Sequence, residues 1–437
     1  AWLLAVGLPR LRSPKWGFPS VANVVAALVV PVIYAAAGQT ALALPLALAA
    51  LLLLWRHKEN LGRAMDGIEV RLGETRPLPD AEDEVACAFM IHPMTLEDIW
   101  QPARFRWLKR LYRAGLLNER LIRFIARHLR PMKVDEFIGI EAADGRGLRV
   151  YLIGAPLLPD EIVGNPELAV RRARQAARLA RDLGARVLGL GAFWSVVGKK
   201  GLEVQEASDI PITNGGAYTA GTVKLGIERA LAVLTARGLR TADITAAVVG
   251  ANGVVGLGIC RNIGHRVGRL IMIGRNLERL ERSRRLIARR FPKTEVLATD
   301  DYALLREADI IFTATSSPEA VIFPEHVKPG AVLFDIGRPP DVSPRVAQEV
   351  PGVRVIPGGV VRPPGGFKGK LDVHFGEGQV PACLAETMVL ALTEAYEHRS
   401  LGDRTRSQSI DFLVAEAEKL GFEIVDGSEL ARHATSA

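Results

Sequence analysis

Cysteine is nearly absent from this chain. Its 437 residues include three, Cys87, Cys260 and Cys383. They are too few and too scattered for a disulfide framework or a Cys-rich metal site, so no metal is expected and a reducing, cytoplasmic setting fits. Also missing is any recognition module for nucleic acid, although 56 Lys and Arg outweigh 48 Asp and Glu. That surplus points to an acidic partner: anionic lipid, an acidic carrier protein, phosphorylated substrates or nucleic acid, and without a recognition module nucleic acid is not the expected one. No initiator methionine is present and residues 1–9 read as the tail of an apolar segment. The chain is therefore expected to begin inside a longer protein.

What the chain has in excess is apolar sequence, 49% of all residues, concentrated near the N-terminus. Residues 20–37 and 41–55 are two apolar runs separated by Gly38-Gln39-Thr40. The first is long enough to span a bilayer, and the second becomes so when Thr40 or the flanks are included. Arg10, Arg12 and Lys15 precede them; Arg56, His57, Lys58 and Arg63 follow, with Trp16 and Trp55 at the expected interfaces. Basic flanks on both sides predict a transmembrane helical hairpin in the cytoplasmic (inner) membrane, with everything downstream in the cytoplasm. A hairpin buried in a protein core is the competing reading. A polar, Pro-bearing stretch at 74–84 reads as a linker.

The most informative stretch is 245–256, TAAVVGANGVVG. An apolar run ends in Gly250, Gly253 and Gly256, and a helical pattern follows from Val254. Glycine allows the sharp turn and close approach that a pyrophosphate needs, and a helix N-terminus favours its charge. Gly250, Asn252, Gly253, Val254, Val255 and Gly256 are thus candidate cofactor contacts; a glycine turn with no ligand is the alternative. About twenty residues on, the strand at 270–273 runs into Gly274-Arg275-Asn276, where NAD enzymes place an acidic residue for the ribose 2′-hydroxyl. Arg275 and Asn276 suit a 2′-phosphate instead, so NADP(H) is expected over NAD(H). Strands at 295–298, 309–315, 331–336 and 353–356 complete a doubly wound, Rossmann-type parallel sheet over 240–360. Thr315 and Ser316 end one of them, where the nicotinamide half usually lies.

Before that sheet, a strand at 85–91 runs into His92-Pro93, and strands at 148–153 and 186–191 flank an Arg/Ala-rich helix. This alternation predicts a second α/β domain, a substrate domain of 80–235 plus 361–437. Within it, 212–219 (ITNGGAYT) opens a helix. Either Thr213, Asn214, Gly215 and Tyr218 line an interdomain cleft, or Thr213 and Asn214 simply cap that helix. Between 100 and 133, ten Lys and Arg accompany one acidic residue, Glu119, at amphipathic helical spacing. A solvated face, docking on a membrane surface and contact with an acidic carrier protein all fit that pattern. The Gly/Pro-rich loop at 362–381 holds Lys370 and His374, candidate acid–base groups. Cys383 then opens a helix, where the dipole favours a thiolate; it is a candidate nucleophile, or else a core cysteine.

Two resemblances emerge from these motifs. Pro19-Ser20-Val21-Ala22, and Trp55-Arg56-His57-Lys58-Glu59-Asn60-Leu61 with Gly67 and Glu69, resemble the C-terminal end of the membrane glycerol-3-phosphate acyltransferases that use acyl phosphate. This likeness covers about residues 1–73, lacks the family's upstream phosphate loops, and implies polar roles for Arg56, His57 and Asn60. Over about 85–425, Gly191-Ala192-Phe193, the run 213–219, Gly250 to Gly256, Gly274-Arg275-Asn276 with Glu278-Arg279-Leu280, Gly358-Gly359-Val360-Val361, and the run 382–386 are similar, in that order, to the long-chain acyl-[acyl-carrier-protein] reductase family and shikimate-type dehydrogenases. That likeness implies NADPH-dependent reduction of acyl-ACP, acyl-CoA or another lipid-linked thioester to an aldehyde, through an acyl-cysteine. The family's acylated cysteine follows the Gly-Gly-Val-Val motif, and 362–375 contains none here. Another dehydrogenase activity on the same scaffold, or a non-catalytic nucleotide sensor regulating the acyltransferase, are the alternatives.

Overall fold

The structure, a computed structural model, describes residues 19–66, 84–102, 105–315, 317, 319–337, 340–371, 373, 375–402 and 406–425. The expected basic flank with Trp16, the Gly67 and Glu69 positions and most of the linker lie outside these residues, as do Ser316 and His374.

Helices α1 (Pro19–Ala36) and α2 (Thr40–Asp66) form the N-terminal hairpin. Its apolar side chains point outward: Val32 is 65% exposed and Leu44 and Leu52 are each 68% exposed. Among the described residues one helix, over Thr40–His57, is long and apolar enough to cross a membrane; the apolar part of α1, Asn23–Ala36, is shorter. Of the expected pair of spans, one therefore qualifies among the described residues, and a transmembrane hairpin is not established.

The first sheet contains β1 (Glu84–Ile91), β2 (Met132–Glu141), β3 (Gly147–Gly154), β4 (Leu188–Leu190) and β5 (Ile212–Thr213). Their order is β2-β3-β1-β4-β5, parallel throughout except for β2, which runs antiparallel at the edge. The unbroken apolar run of β1 is what a strand covered on both faces requires. Strand β2 is a correction to the sequence reading. As an edge strand it buries only Phe137 and Ile140, so its charged sequence carries little strand signal. The basic stretch folds as two helices, α3 (Arg106–Arg113) and α4 (Glu119–His128). Beyond β3, α5 (Pro159–Gly164) and α6 (Pro166–Asp182) cover one face of the sheet.

Helix α7 (Gly216–Ala236) leaves this sheet and enters the next unit. Ala217 and Tyr218 pack with Val361 and Met388 in one core, whereas Val223, Ile227 and Leu234 pack with Val248 and Phe312 in another. One helix thus belongs to both cores. The second sheet is built from β6 (Thr245–Val249), β7 (Arg269–Ile273), β8 (Glu295–Thr299), β9 (Ile310–Thr313), β10 (Val332–Asp335) and β11 (Arg354–Pro357). Its order is β11-β10-β9-β6-β7-β8 and every pair is parallel. This is the doubly wound arrangement, with its switch point between β6 and β9.

After β11 the chain returns to the first sheet. Strands β12 (Val360–Arg362), β13 (Val380–Pro381) and β14 (Glu423–Ile424) pair antiparallel, and α10 (Ala382–Thr393) and α11 (Ser407–Lys419) pack over β1. Phe89, Phe137 and Leu152 from the early strands share one buried cluster with Met388, Leu390 and Leu413.

Candidate active site

The turn after β6 is shaped by backbone crowding. Gly250 holds φ at +82°, and a Cβ there would sit 2.5 Å from the Ala314 carbonyl oxygen. A Cβ on Gly256 would collide with the Gly250 carbonyl. The turn closes through Gly253 N–H donating to Gly250 O (2.9 Å), and α8 (Val254–Ile263) starts immediately after it. Val254 and Val255 thus open a helix whose first N–H groups have no partner within it. Asn252 Nδ2 donates to the Asn276 carbonyl (3.1 Å), and its buried Oδ1 has no partner among the described residues. A left-handed glycine, an open helix N-terminus and an orphaned buried acceptor fit a dinucleotide. Arg275 is exposed just past β7, and Asn276 caps α9 (Leu277–Arg290) by accepting from Arg279 N–H (2.9 Å). Thr315 faces a different task. Its N–H (2.9 Å) and its hydroxyl both bond the buried Asp341 carboxylate. Asp335, at the end of β10, accepts from Thr313 Oγ1 (3.0 Å) and from the N–H groups of Gly337, Asp341 and Val342. These two carboxylates fix the loops beyond the switch point.

The second feature is a corner around Cys383. Cys87 and Cys260 are buried, and Cys383 is half-buried. It stands in the first turn of α10, near the N–H groups of Leu384 and Ala192. Gly215 lies against it so closely that a Cβ at 215 would occupy the place of the Cys383 Cβ; φ there is +74°. Ala192 is held at φ +45°, a left-handed value that costs a non-glycine residue on the order of 1–3 kcal/mol. Ala382 N–H donates to Gly359 O (2.8 Å), so the helix start is stitched to the chain leaving the second sheet. Burial, with a smaller contribution from Glu386, pushes the Cys383 thiol up to about 12. At neutral pH it rests protonated.

Glu386 holds the corner together. It is fully buried and accepts from Thr213 Oγ1, Tyr218 N–H (2.8 Å), Ser400 N–H (3.1 Å) and Ser400 Oγ (3.1 Å). Burial drives its carboxyl above the ordinary range, and those four donors pull it back down. The expected substrate contacts need correcting accordingly. The Thr213 hydroxyl is bonded to Glu386 and the Tyr218 ring is 1% exposed within the core. Asn214 bridges the Lys200 carbonyl (3.2 Å) and Gly216 N–H (3.1 Å). Only Gly215 of the four touches Cys383. Lys370 sits at the outer edge of the first sheet. Its N–H donates to Asp135 of β2 (2.5 Å), three strand positions from β4, or about 14 Å.

The residue the sequence reading passed over is His92, at the end of β1. Its Nδ1 lies 2.9 Å from Pro93 O, and Phe193 N–H donates to its Nε2 (3.3 Å), which puts the proton on Nδ1. Burial lowers its pKa, so it is neutral. The same short turn thus directs the Ala192 N–H at Cys383 and the Phe193 N–H at His92. A groove of about 550 Å³ lies elsewhere, between α5, α6 and residues 196–203, and Cys383 does not line it.

A glycine turn at the switch point of a doubly wound parallel sheet fits a Rossmann-type NAD(P)-linked oxidoreductase. The shikimate/quinate 5-dehydrogenase profile matches residues 233–357. The long-chain acyl-[acyl-carrier-protein] reductase of Synechococcus elongatus is 30% identical over 275 residues, covering 60% of this chain and 77% of that protein. The chain belongs to that reductase family. Aminotransferase PigE of a Serratia species is 27% identical over 296 residues, 65% of this chain, and the chain spans 33% of PigE. Among solved structures, L-tryptophan dehydrogenase of Nostoc punctiforme has a TM-score of 0.35 at 13% identity, covering 77% of this chain and 78% of that one.

Proposed function

We propose that this protein is an NADP-dependent reductase of long-chain acyl thioesters that uses Cys383 as nucleophile and is tethered to the cytoplasmic membrane by α1 and α2. The observation that carries the chemistry is the Cys383 corner: a half-buried cysteine in the first turn of α10, near the Ala192 and Leu384 N–H groups, on the segment stitched to the chain leaving the second sheet. In this reading the Cys383 thiolate attacks the thioester carbonyl. The donor thiol leaves with the proton that Cys383 gave up, and the N–H groups of Ala192, Cys383 and Leu384 stabilise charge on sulfur or carbonyl oxygen. Gly250–Gly256 would hold NADPH, with Arg275 the residue available to its 2′-phosphate, and the bound cofactor would supply the hydride for reduction to aldehyde. Because burial keeps the resting thiol protonated, deprotonation accompanies substrate binding.

The acyltransferase likeness adds a fusion of two acyl-handling activities to this reading. Its polar candidates are engaged locally: His57 Nδ1 lies 3.0 Å from Leu53 O, and Arg63 Nη2 donates to Asn60 Oδ1 (2.9 Å). Acyl-ACP is the favoured substrate, with acyl-CoA or another lipid-linked thioester as alternatives.

The test is NADPH oxidation by the full chain with long-chain acyl-ACP or acyl-CoA, followed by product analysis. Aldehyde is expected, and Cys383→Ala is expected to lower turnover by about a thousandfold or more while NADPH still raises the melting temperature. NADPH binding with no thioester oxidant consumed would remove the reductase reading and leave a sensor or another dehydrogenase. Full turnover by Cys383→Ala would remove the nucleophile alone.

A further inference from the structure

The α3–α4 pair divides its charges sharply. Charges facing the protein are paired: Lys109 with Glu97 (2.9 Å), Arg123 with Glu119 and Asp160 (2.8 Å each), and Arg127 with Glu161 (2.7 Å). Charges facing out are not: Arg106, Arg110 and Arg120 are exposed and have no acidic partner among the described residues. Between them stand large apolar side chains, with Trp107 56%, Leu116 70%, Leu121 41%, Phe124 62% and Ile125 42% exposed. On α3 the exposed set is Arg106, Trp107, Arg110 and Arg113, one helical face. No residue of α3 is buried.

We infer that α3 and α4 lie along the surface of an anionic bilayer, with these apolar side chains in the headgroup layer and the unpaired arginines on lipid phosphates. A second observation places the bilayer on this side. The foot of α2 meets the chain just past α4, where it enters β2: Lys133 N–H of β2 donates to Asp66 Oδ1 (2.9 Å), and Arg130 Nη2, two residues beyond α4, lies 3.2 Å from where a Gly62 Cβ would be. The exposed apolar length of α2 and the amphipathic pair therefore leave the fold at one corner. An acidic carrier protein would satisfy the arginines, but it has no use for an apolar strip that runs on into that hairpin. The inference does not depend on the reductase reading.

Vesicle flotation of the full chain tests it, using phosphatidylcholine vesicles with and without phosphatidylglycerol. The hairpin's own insertion is read on the neutral vesicles. The wild type is expected to bind the anionic vesicles at least tenfold more tightly than neutral ones, with the difference removed by high salt. Arg110→Glu/Arg120→Glu should lose that tenfold, Trp107→Glu/Phe124→Glu should weaken anionic binding comparably, and Arg110→Lys/Arg120→Lys should retain it. All of these positions are exposed, and an unchanged melting temperature verifies folding. Equal binding of wild type and the charge-reversed variant to anionic vesicles overturns the inference. So does unaltered vesicle binding combined with lost affinity for acyl carrier protein, which would assign the surface to that partner.

Discussion

The dinucleotide turn and the Cys383 corner both aim backbone N–H groups at a site of negative charge, yet they are built in opposite ways. The turn is made of seven consecutive residues whose shape follows from φ at Gly250 and from what a Cβ would strike. The corner draws on His92, Ala192, Gly215, Cys383, Glu386 and Ser400, from five separate segments, and a buried carboxylate ties the Cys383 helix to Ser400 and to Thr213 and Tyr218 on either side of Gly215. A local device can be recognised from spacing; a device assembled across a fold depends on buried partners that spacing does not display.

Breaking the corner should have the largest effect on stability. Glu386→Leu strands the buried Tyr218 N–H and Ser400 hydroxyl, and leaves Thr213 and Ser400 N–H only their weaker contacts with each other, so a loss of about 3–5 kcal/mol in denaturant unfolding is expected. A loss below about 1 kcal/mol would mean that packing alone holds α10 in place. Damage to the turn should be smaller and confined to it. Gly250→Val, forced to adopt a positive φ against the Ala314 carbonyl, should cost roughly 2 kcal/mol and abolish the melting shift caused by NADPH. Thiol alkylation rates at Cys383 should stay as in the wild type; a changed rate would show that the two features are coupled.

Arg275→Ser should leave stability intact and reduce the preference for NADPH over NADH about tenfold, or about 1.4 kcal/mol in binding. Equal ratios before and after would place the 2′-phosphate contact elsewhere. The smallest effect concerns pH. Burial holds the His92 pKa below its unfolded value of about 6.5, so below that pH the unfolded chain takes up a proton the folded chain refuses. Stability contributed by neutral His92 is therefore complete above about pH 6.5 and falls on acidification, by less than about 1.4 kcal/mol per pH unit. His92→Gln should flatten that slope in melting curves between neutral pH and pH 5.5; an unaltered slope would assign it to other groups.

The nucleotide sheet was legible because each strand is an apolar run closed by glycine or a small polar residue, and parallel strands buried on both faces read in that way. The edge strand β2 was not, since it buries two side chains and leaves its charges in water. For the corner, the sequence held a signal that motif reading did not use. Glu386 is the only charge in the apolar helix ACLAETMVLALT, and Asp335 closes the buried strand VLFD. A single carboxylate within an otherwise apolar element must meet donors from elsewhere in the fold. Thr213 and Tyr218 flank the glycine turn in sequence, but their side chains serve Glu386 and the core rather than a cleft.

The return of the chain after β11 also dictates an order of events on the ribosome. The second sheet is complete once residue 357 has emerged, and its cores need nothing later in the chain apart from edge contacts. The first sheet, although made earlier, has one face bare until α10 and α11 arrive, because Phe89 and Phe137 are covered by Met388, Leu390 and Leu413. The domain translated first is thus finished last, and through its synthesis it presents an apolar sheet face to chaperones and proteases.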